Sequence, residues 1–195
     1  MNADYIIAYS GVIIWALVPI RQYKNRFFYF FLLLTCADVI TLVARTVFKS
    51  GTNFFIVPFN FLALTALLDI NFIRKHKILL LILLLSICII SIQKTILQIP
   101  DYQIMAILMI IINVFILYIF IKELFINSGN KRFINLYLIV LVLYAIMEVT
   151  KFLNYLTGFT NGYFYFKATI YIEVLVAIFF VIFKADNKRL FFQLK

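Results

Sequence analysis

The chain has 195 residues, 66% of them hydrophobic and only 13% charged, and its mean hydropathy is +1.07. An ordinary soluble domain is about half apolar and roughly a quarter charged, so the composition excludes that class and predicts a polytopic membrane protein. The net charge of +10 would suggest a nucleic-acid partner in a soluble chain; here loop topology accounts for it, and no nucleic acid is expected.

Seven apolar runs follow one another, at about 5–20, 27–48, 54–73, 78–97, 102–122, 133–156 and 163–183. Each is roughly 16 to 24 residues, the length a helix rising 1.5 Å per residue needs to cross ~30 Å of hydrocarbon. The intervening loops are too short to fold alone. The expected fold class is therefore an all-α integral membrane protein, one domain of seven transmembrane helices over residues 1–195. The first run is not read as a cleaved signal peptide, because MNAD before it has no basic residue and the positive charges come after it.

Loop charges set the direction, since Lys and Arg are retained on the cytoplasmic side. Arg21, Lys24 and Arg26 follow the first run; Arg74, Lys75 and Lys77 the third; Lys122, Lys131 and Arg132 the fifth; Lys184, Lys188, Arg189 and Lys195 the seventh. The N-terminus is expected outside and the C-terminus in the cytoplasm, with the chain multi-pass in the inner (cytoplasmic) membrane. NFF at 53–55 and GYFYF at 162–166 read as an outer aromatic belt. The tail 184–195, KADNKRLFFQLK, is basic and amphipathic, and reads as an interfacial helix on an anionic leaflet, with a protein contact as the alternative.

A faint internal repeat accompanies this topology. KNRFFYFFLLL precedes the second run and NKRFINLYLIV the sixth, Asp38-Val39 matches Glu148-Val149, and Thr52-Asn53 matches Thr160-Asn161, at offsets of 106, 110 and 108 residues. The four-residue difference is about one helical turn, which keeps the two acids on nearly the same face. Runs one to three and five to seven share direction, with run four as the inverting linker. This parallel 3+1+3 plan resembles that of SWEET-type carriers, and the resemblance stops at architecture: Pro19 sits at the end of the first run and the fifth has no proline.

Ionisable residues inside apolar runs are costly, and so they mark sites. Counting from the run ends puts Asp38, Asn113 and Glu173 near the midplane, as a candidate polar site. Arg45, Glu148, Lys151 and Lys167 fall in the outer leaflet as a charge cluster, with Asn60 nearby. Asp38, Thr41 and Arg45 share one helical face, as do Glu148 and Lys151. Glu148 is expected to pair with Lys167 or Arg45, Asp38 with Asn113 or Tyr171, and Asp69 with Arg74 or Lys75.

Several chemistries lack their residues. Cys36 and Cys88 lie deep in apolar runs without CxxC spacing and read as small buried residues. The single histidine, His76, lies in the loop sequence IRKHK, which leaves no histidine metal site and no bis-histidine haem. No GxSxG, HExxH or phosphate-binding loop occurs. Five glycines and few mid-run prolines, Pro58 the clearest, predict straight helices. The expectation is a non-enzymatic protein without cofactor or metal. It acts as a subunit, accessory or signal-relaying component of a larger membrane assembly, its partners being the lipid bilayer and either another membrane protein or further copies of itself. The alternative is a small-solute or ion carrier, proton-coupled, built on the midplane site.

Overall fold

The computed structural model describes residues 3–48, 55–96, 102–131, 133–158 and 162–193. Among these residues are seven α-helices: α1 (Ala3–Arg21), α2 (Phe28–Phe48), α3 (Ile56–Leu67), α4 (Ile70–Ile96), α5 (Tyr102–Lys131), α6 (Leu136–Thr157) and α7 (Gly162–Ile182). Two short strands, β1 (Phe133–Asn135) and β2 (Phe191–Gln193), complete the fold, with a single 3-10 turn at Lys188–Leu190.

Helix pairing follows chain order around a closed ring: α1 packs on α2, α2 on α3, α3 on α5, α5 on α6, α6 on α7, and α7 back on α1. Helix α4 stands outside and packs against α3. The close approach of α1 and α7 is made at Gly11, where an added Cβ would lie 3.2 Å from Val174 Cγ2.

The outside of this ring is apolar. Ile13, Leu17, Val43, Ile111, Phe115, Leu143 and Leu175 are exposed, and α4 exposes Ile78, Leu79, Ile82, Leu85 and Ile89. Some buried polar groups are satisfied locally or between helices, Thr35 Oγ1 donating to Trp15 O at 3.0 Å and Asn60 Nδ2 to Ile56 O at 2.9 Å, whereas Gln22 Oε1, Glu123 Oε2 and the Tyr137 hydroxyl have no hydrogen-bond partner among the described residues. So many large exposed apolar side chains are unlike the surface of a soluble domain. Among the described residues, two helical stretches, Gln103–Ile126 and Leu136–Thr157, are long and apolar enough to cross a membrane. The apolar stretches Tyr9–Arg21, Phe28–Val43, Ile56–Leu67 and Ala168–Ile182 are shorter.

Element ends explain where the structure departs from the sequence reading. Asp69 does not pair with Arg74 or Lys75; its carboxylate accepts from Asn71 N at 3.3 Å and its carbonyl from Ile73 N at 3.0 Å, the two bonds of a helix N-cap. The third run therefore stops at Leu67, and the residues Ile70–Lys75 become the first turns of α4. That helix bends at His76, whose φ of −113° and ψ of 18° are non-helical. Pro58 is the third residue of α3, not a mid-helix break, and there its missing N–H removes a group that has no partner within the helix. Helix α6 begins on Asn135, whose side chain accepts from Tyr137 N at 2.9 Å, and ends on Gly158 in the left-handed region at φ 61°.

The tail is the largest correction. It is not an interfacial helix: Phe191–Gln193 pairs antiparallel with Phe133–Asn135, in the register Phe133↔Gln193, Ile134↔Phe192 and Asn135↔Phe191. Backbone pairing and burial of Leu190 hold it against the start of α6. Two adjacent phenylalanines favour a strand over a helix.

Candidate functional site

The ring interior divides into two layers. Near the α1–α2 turn and the C-terminal end of α7 it is filled with aromatic rings. Phe31 and Phe180 have centroids 4.9 Å apart, Tyr137 and Phe180 5.0 Å, Phe30 and Phe120 5.5 Å, and Phe27 and Tyr137 5.7 Å. These residues are buried to 4% exposure or less, so this layer is a solid plug. Beneath it Gln22 Nε2 donates to Phe180 O at 2.7 Å and to Phe183 O at 2.8 Å, and Arg26 Nη1 meets Glu123 Oε1. The α1–α2 turn is thereby tied to α7 and α5.

Towards the opposite end the ring encloses a cavity of about 350 Å³. Its wall is made by Trp15 of α1; Leu34, Ala37, Asp38 and Thr41 of α2; Ile56, Val57 and Asn60 of α3; Met105, Ala106 and Met109 of α5; Tyr144, Glu148, Lys151, Phe152 and Tyr155 of α6; and Glu173 of α7. All six ring helices contribute and α4 does not. Asp38 and Tyr155 are exposed among these lining residues, and the segments 49–54, 97–101 and 159–161, which follow α2, α4 and α6, lie outside the described residues. Trp15 stands between the layers, with its ring 5.4 Å from Tyr144 and 6.2 Å from Phe31.

The charges of the cavity form one constellation. Lys151 Nζ lies 3.2 Å from Glu148 Oε1 on its own helix and 2.7 Å from Glu173 Oε1 on α7. The i, i+3 spacing on α6 puts the first pair on one face, and the α6–α7 packing brings the second. Asp38 faces them from α2, close enough for its charge to interact with those of Glu173 and Lys151. Among the described residues Asp38 has no hydrogen-bond donor or cation in contact. Three carboxyl groups thus share one ammonium, and that ammonium is already engaged by two of them.

The sequence-derived groups are redistributed accordingly. Glu173, expected with the midplane residues, joins Glu148 and Lys151, so the midplane and outer-leaflet sets meet in one cavity. Asn113 does not line it; its amide donates to Met109 O at 2.9 Å, one turn back on α5. Tyr171 is exposed at 48% and is also outside the lining set. The side chains of Arg45 and Lys167 lie outside the described residues. Trp15, Tyr144, Phe152 and Tyr155 were not singled out from sequence. A signal for two of them was present: Tyr144 and Tyr155 lie with Glu148 and Lys151 at i, i+4, i+7 and i+11, which is one helical stripe.

No three His, Cys, Asp or Glu side chains come together as a metal site among the described residues. No protein-family model matches the chain, and no curated protein or solved structure matches it. The functional reading rests on this geometry.

Proposed function

We propose that the chain is a seven-span carrier of a small solute, in the inner membrane, with the N-terminus outside and the C-terminus in the cytoplasm. One observation carries the reading: a cavity with charged walls, at the centre of a ring whose outside is apolar, lined by every ring helix and closed by an aromatic layer at one end. Substrate sites of secondary carriers lie at the interface between repeats near the bilayer midplane. The basic loops put the plugged end on the cytoplasmic side, so in this reading the solute enters the cavity from the outer face. The ring pairing supports the parallel 3+1+3 repeat as well. Exchanging α1, α2 and α3 with α5, α6 and α7 carries α1·α2 onto α5·α6, α2·α3 onto α6·α7, and α3·α5 onto α7·α1. In this plan α1–α3 and α5–α7 rock about the central site, and the Gln22 and Arg26 contacts hold the cytoplasmic side shut. No enzymatic activity, cofactor or nucleic-acid partner is proposed.

Cysteine labelling tests this. With Cys36 and Cys88 replaced by alanine, Asn60→Cys should react with a membrane-impermeant maleimide applied to the outer face of intact cells, and should be protected in inverted vesicles. Labelling from neither side would mean a closed, dry centre and would remove the carrier reading.

A second reading, a subunit or signal-relaying role in a membrane assembly, rests on α4. This helix is outside the ring and exposes large aliphatic side chains over most of its surface, which lipid, another membrane protein or a second copy can cover. A stoichiometric partner retained through purification in mild detergent would favour it.

A further inference from the structure

The cavity selects by charge and by wall chemistry, and both point the same way. Among the described lining residues three carboxyl groups face one ammonium, and Lys151 is clamped between Glu148 and Glu173 at 3.2 and 2.7 Å, so it has little left to offer an anion. Asp38 alone faces the cavity with no partner among the described residues. A carboxylate at bilayer depth is expensive unless it is hydrated or neutralised, so closing the cavity around Asp38 needs a cation in place of the water. Trp15, Tyr144 and Tyr155 line the same space, and aromatic rings attract cations, tryptophan best. About 350 Å³ is at the small end of ligand sites.

We infer that the solute is a small alkylammonium cation, its nitrogen against the Asp38 carboxylate and its alkyl groups against Trp15 and Tyr144. The inference rests on the carrier reading and names the substrate class of that same cavity. A bare metal ion is disfavoured because three ligating side chains are not gathered around one point among the described residues. A sugar would leave Asp38 unneutralised, and a carboxylate solute would meet excess like charge.

The chain contains a single tryptophan, and it is Trp15, so its fluorescence reports on this cavity alone. The full-length protein is studied in nanodiscs with two probes. Acrylamide, uncharged, reads whether the cavity is reached from water. The series from methylammonium to choline reads the substrate class, with dimethylbutanol, the uncharged carbon isostere of choline, as control. The expected result is quenching by acrylamide, a saturable change and protection from acrylamide with at least one ammonium ion, and no saturable change with dimethylbutanol. Asp38→Asn should weaken ammonium binding about tenfold or more, as loss of a charged partner does. Acrylamide access should be unchanged in that variant, and Asp38→Glu should restore binding. A Trp15 that acrylamide cannot reach would overturn the carrier reading and this inference with it. Acrylamide quenching without saturable binding of any ammonium ion, or with equal binding of dimethylbutanol, would overturn the substrate class and leave an open cavity standing. Undiminished ammonium binding by Asp38→Asn would remove Asp38 as the anchor.

Discussion

Replacing Lys151 by methionine keeps the length and apolar stem of the side chain and removes its charge, which isolates the electrostatic role of the central ammonium. With Nζ 3.2 Å from Glu148 Oε1 and 2.7 Å from Glu173 Oε1, the two carboxylate oxygens are within about 6 Å of each other. Two unit charges at that distance repel by about 3 kcal/mol at an effective dielectric constant of 20. Removing one partner of a buried pair costs a similar ~3–5 kcal/mol, because the remaining charge keeps its desolvation penalty. At about 2–4 °C per kcal/mol for a chain of this length, Lys151→Met should lower the melting temperature in detergent by roughly 6–12 °C. The double variant Lys151→Met with Glu173→Gln should recover much of the loss, since groups in one network are non-additive. A drop below about 2 °C, or a double variant less stable than Lys151→Met, would refute the shared-ammonium account.

Other consequences are open to direct measurement. A reporter active only in the cytoplasm should work when fused after Lys195, and activity before Met1 instead would reverse the orientation. Gln22→Leu removes the donor to Phe180 O and Phe183 O, and should raise maleimide labelling of Asn60→Cys from the cytoplasmic side; unchanged labelling would mean the aromatic layer closes that side alone. Asn135→Ala deletes the cap of α6 and should cost about 1 kcal/mol, read as a shift of a few degrees in melting temperature. Thr41→Lys sets an ammonium one turn from Asp38 and should abolish alkylammonium binding while leaving thermal stability within a few degrees of the parent.

Helix number was legible because each apolar run is bounded by charge, glycine or asparagine, and periodicity marks a long segment better than its ends. The boundary between α3 and α4 was not legible. FIRKHK reads as a polar loop by composition, yet Asp69 supplies the orphan N–H groups of a helix start and the basic residues continue as its first turns. The tail was misread for a related reason: Leu190, Phe191 and Phe192 have the composition of an amphipathic helix, but an available edge at Phe133–Asn135 turns them into a strand. At the site, Glu148 and Lys151 could be put on one face by counting. Glu173 could not be joined to them, because counting from run ends fixes depth only to about a turn and says nothing of which helices are neighbours. The aromatic wall was obscured by abundance: among 23 phenylalanines and 12 tyrosines, only packing distinguishes those that face a cavity from those that fill the plug.

The asymmetry between the two halves bears on how such a cavity would work. Shifting by 110 residues takes Asp38 onto Glu148, and the same shift takes Thr41 onto Lys151, so the second half carries an acid with an ammonium three residues on where the first half carries an acid with a hydroxyl. Both acids and both residues at the following position line the cavity. In α6 the charge is neutralised within the protein, through Lys151 and Glu173, and that half of the wall is electrostatically complete without a ligand. In α2 it is not. A cation arriving at Asp38 would therefore complete the first half and, by lying across the cavity, contact the second. Neutralising Asp38 removes the largest cost of enclosing it away from water, which makes an occluded state more accessible with the solute than without it. That difference is what coupling requires, since a ligand shifts a conformational equilibrium only by its differential affinity for the two states. On this argument closure follows from charge neutralisation at one residue, and an uncharged solute of the same shape would enter the cavity without favouring closure.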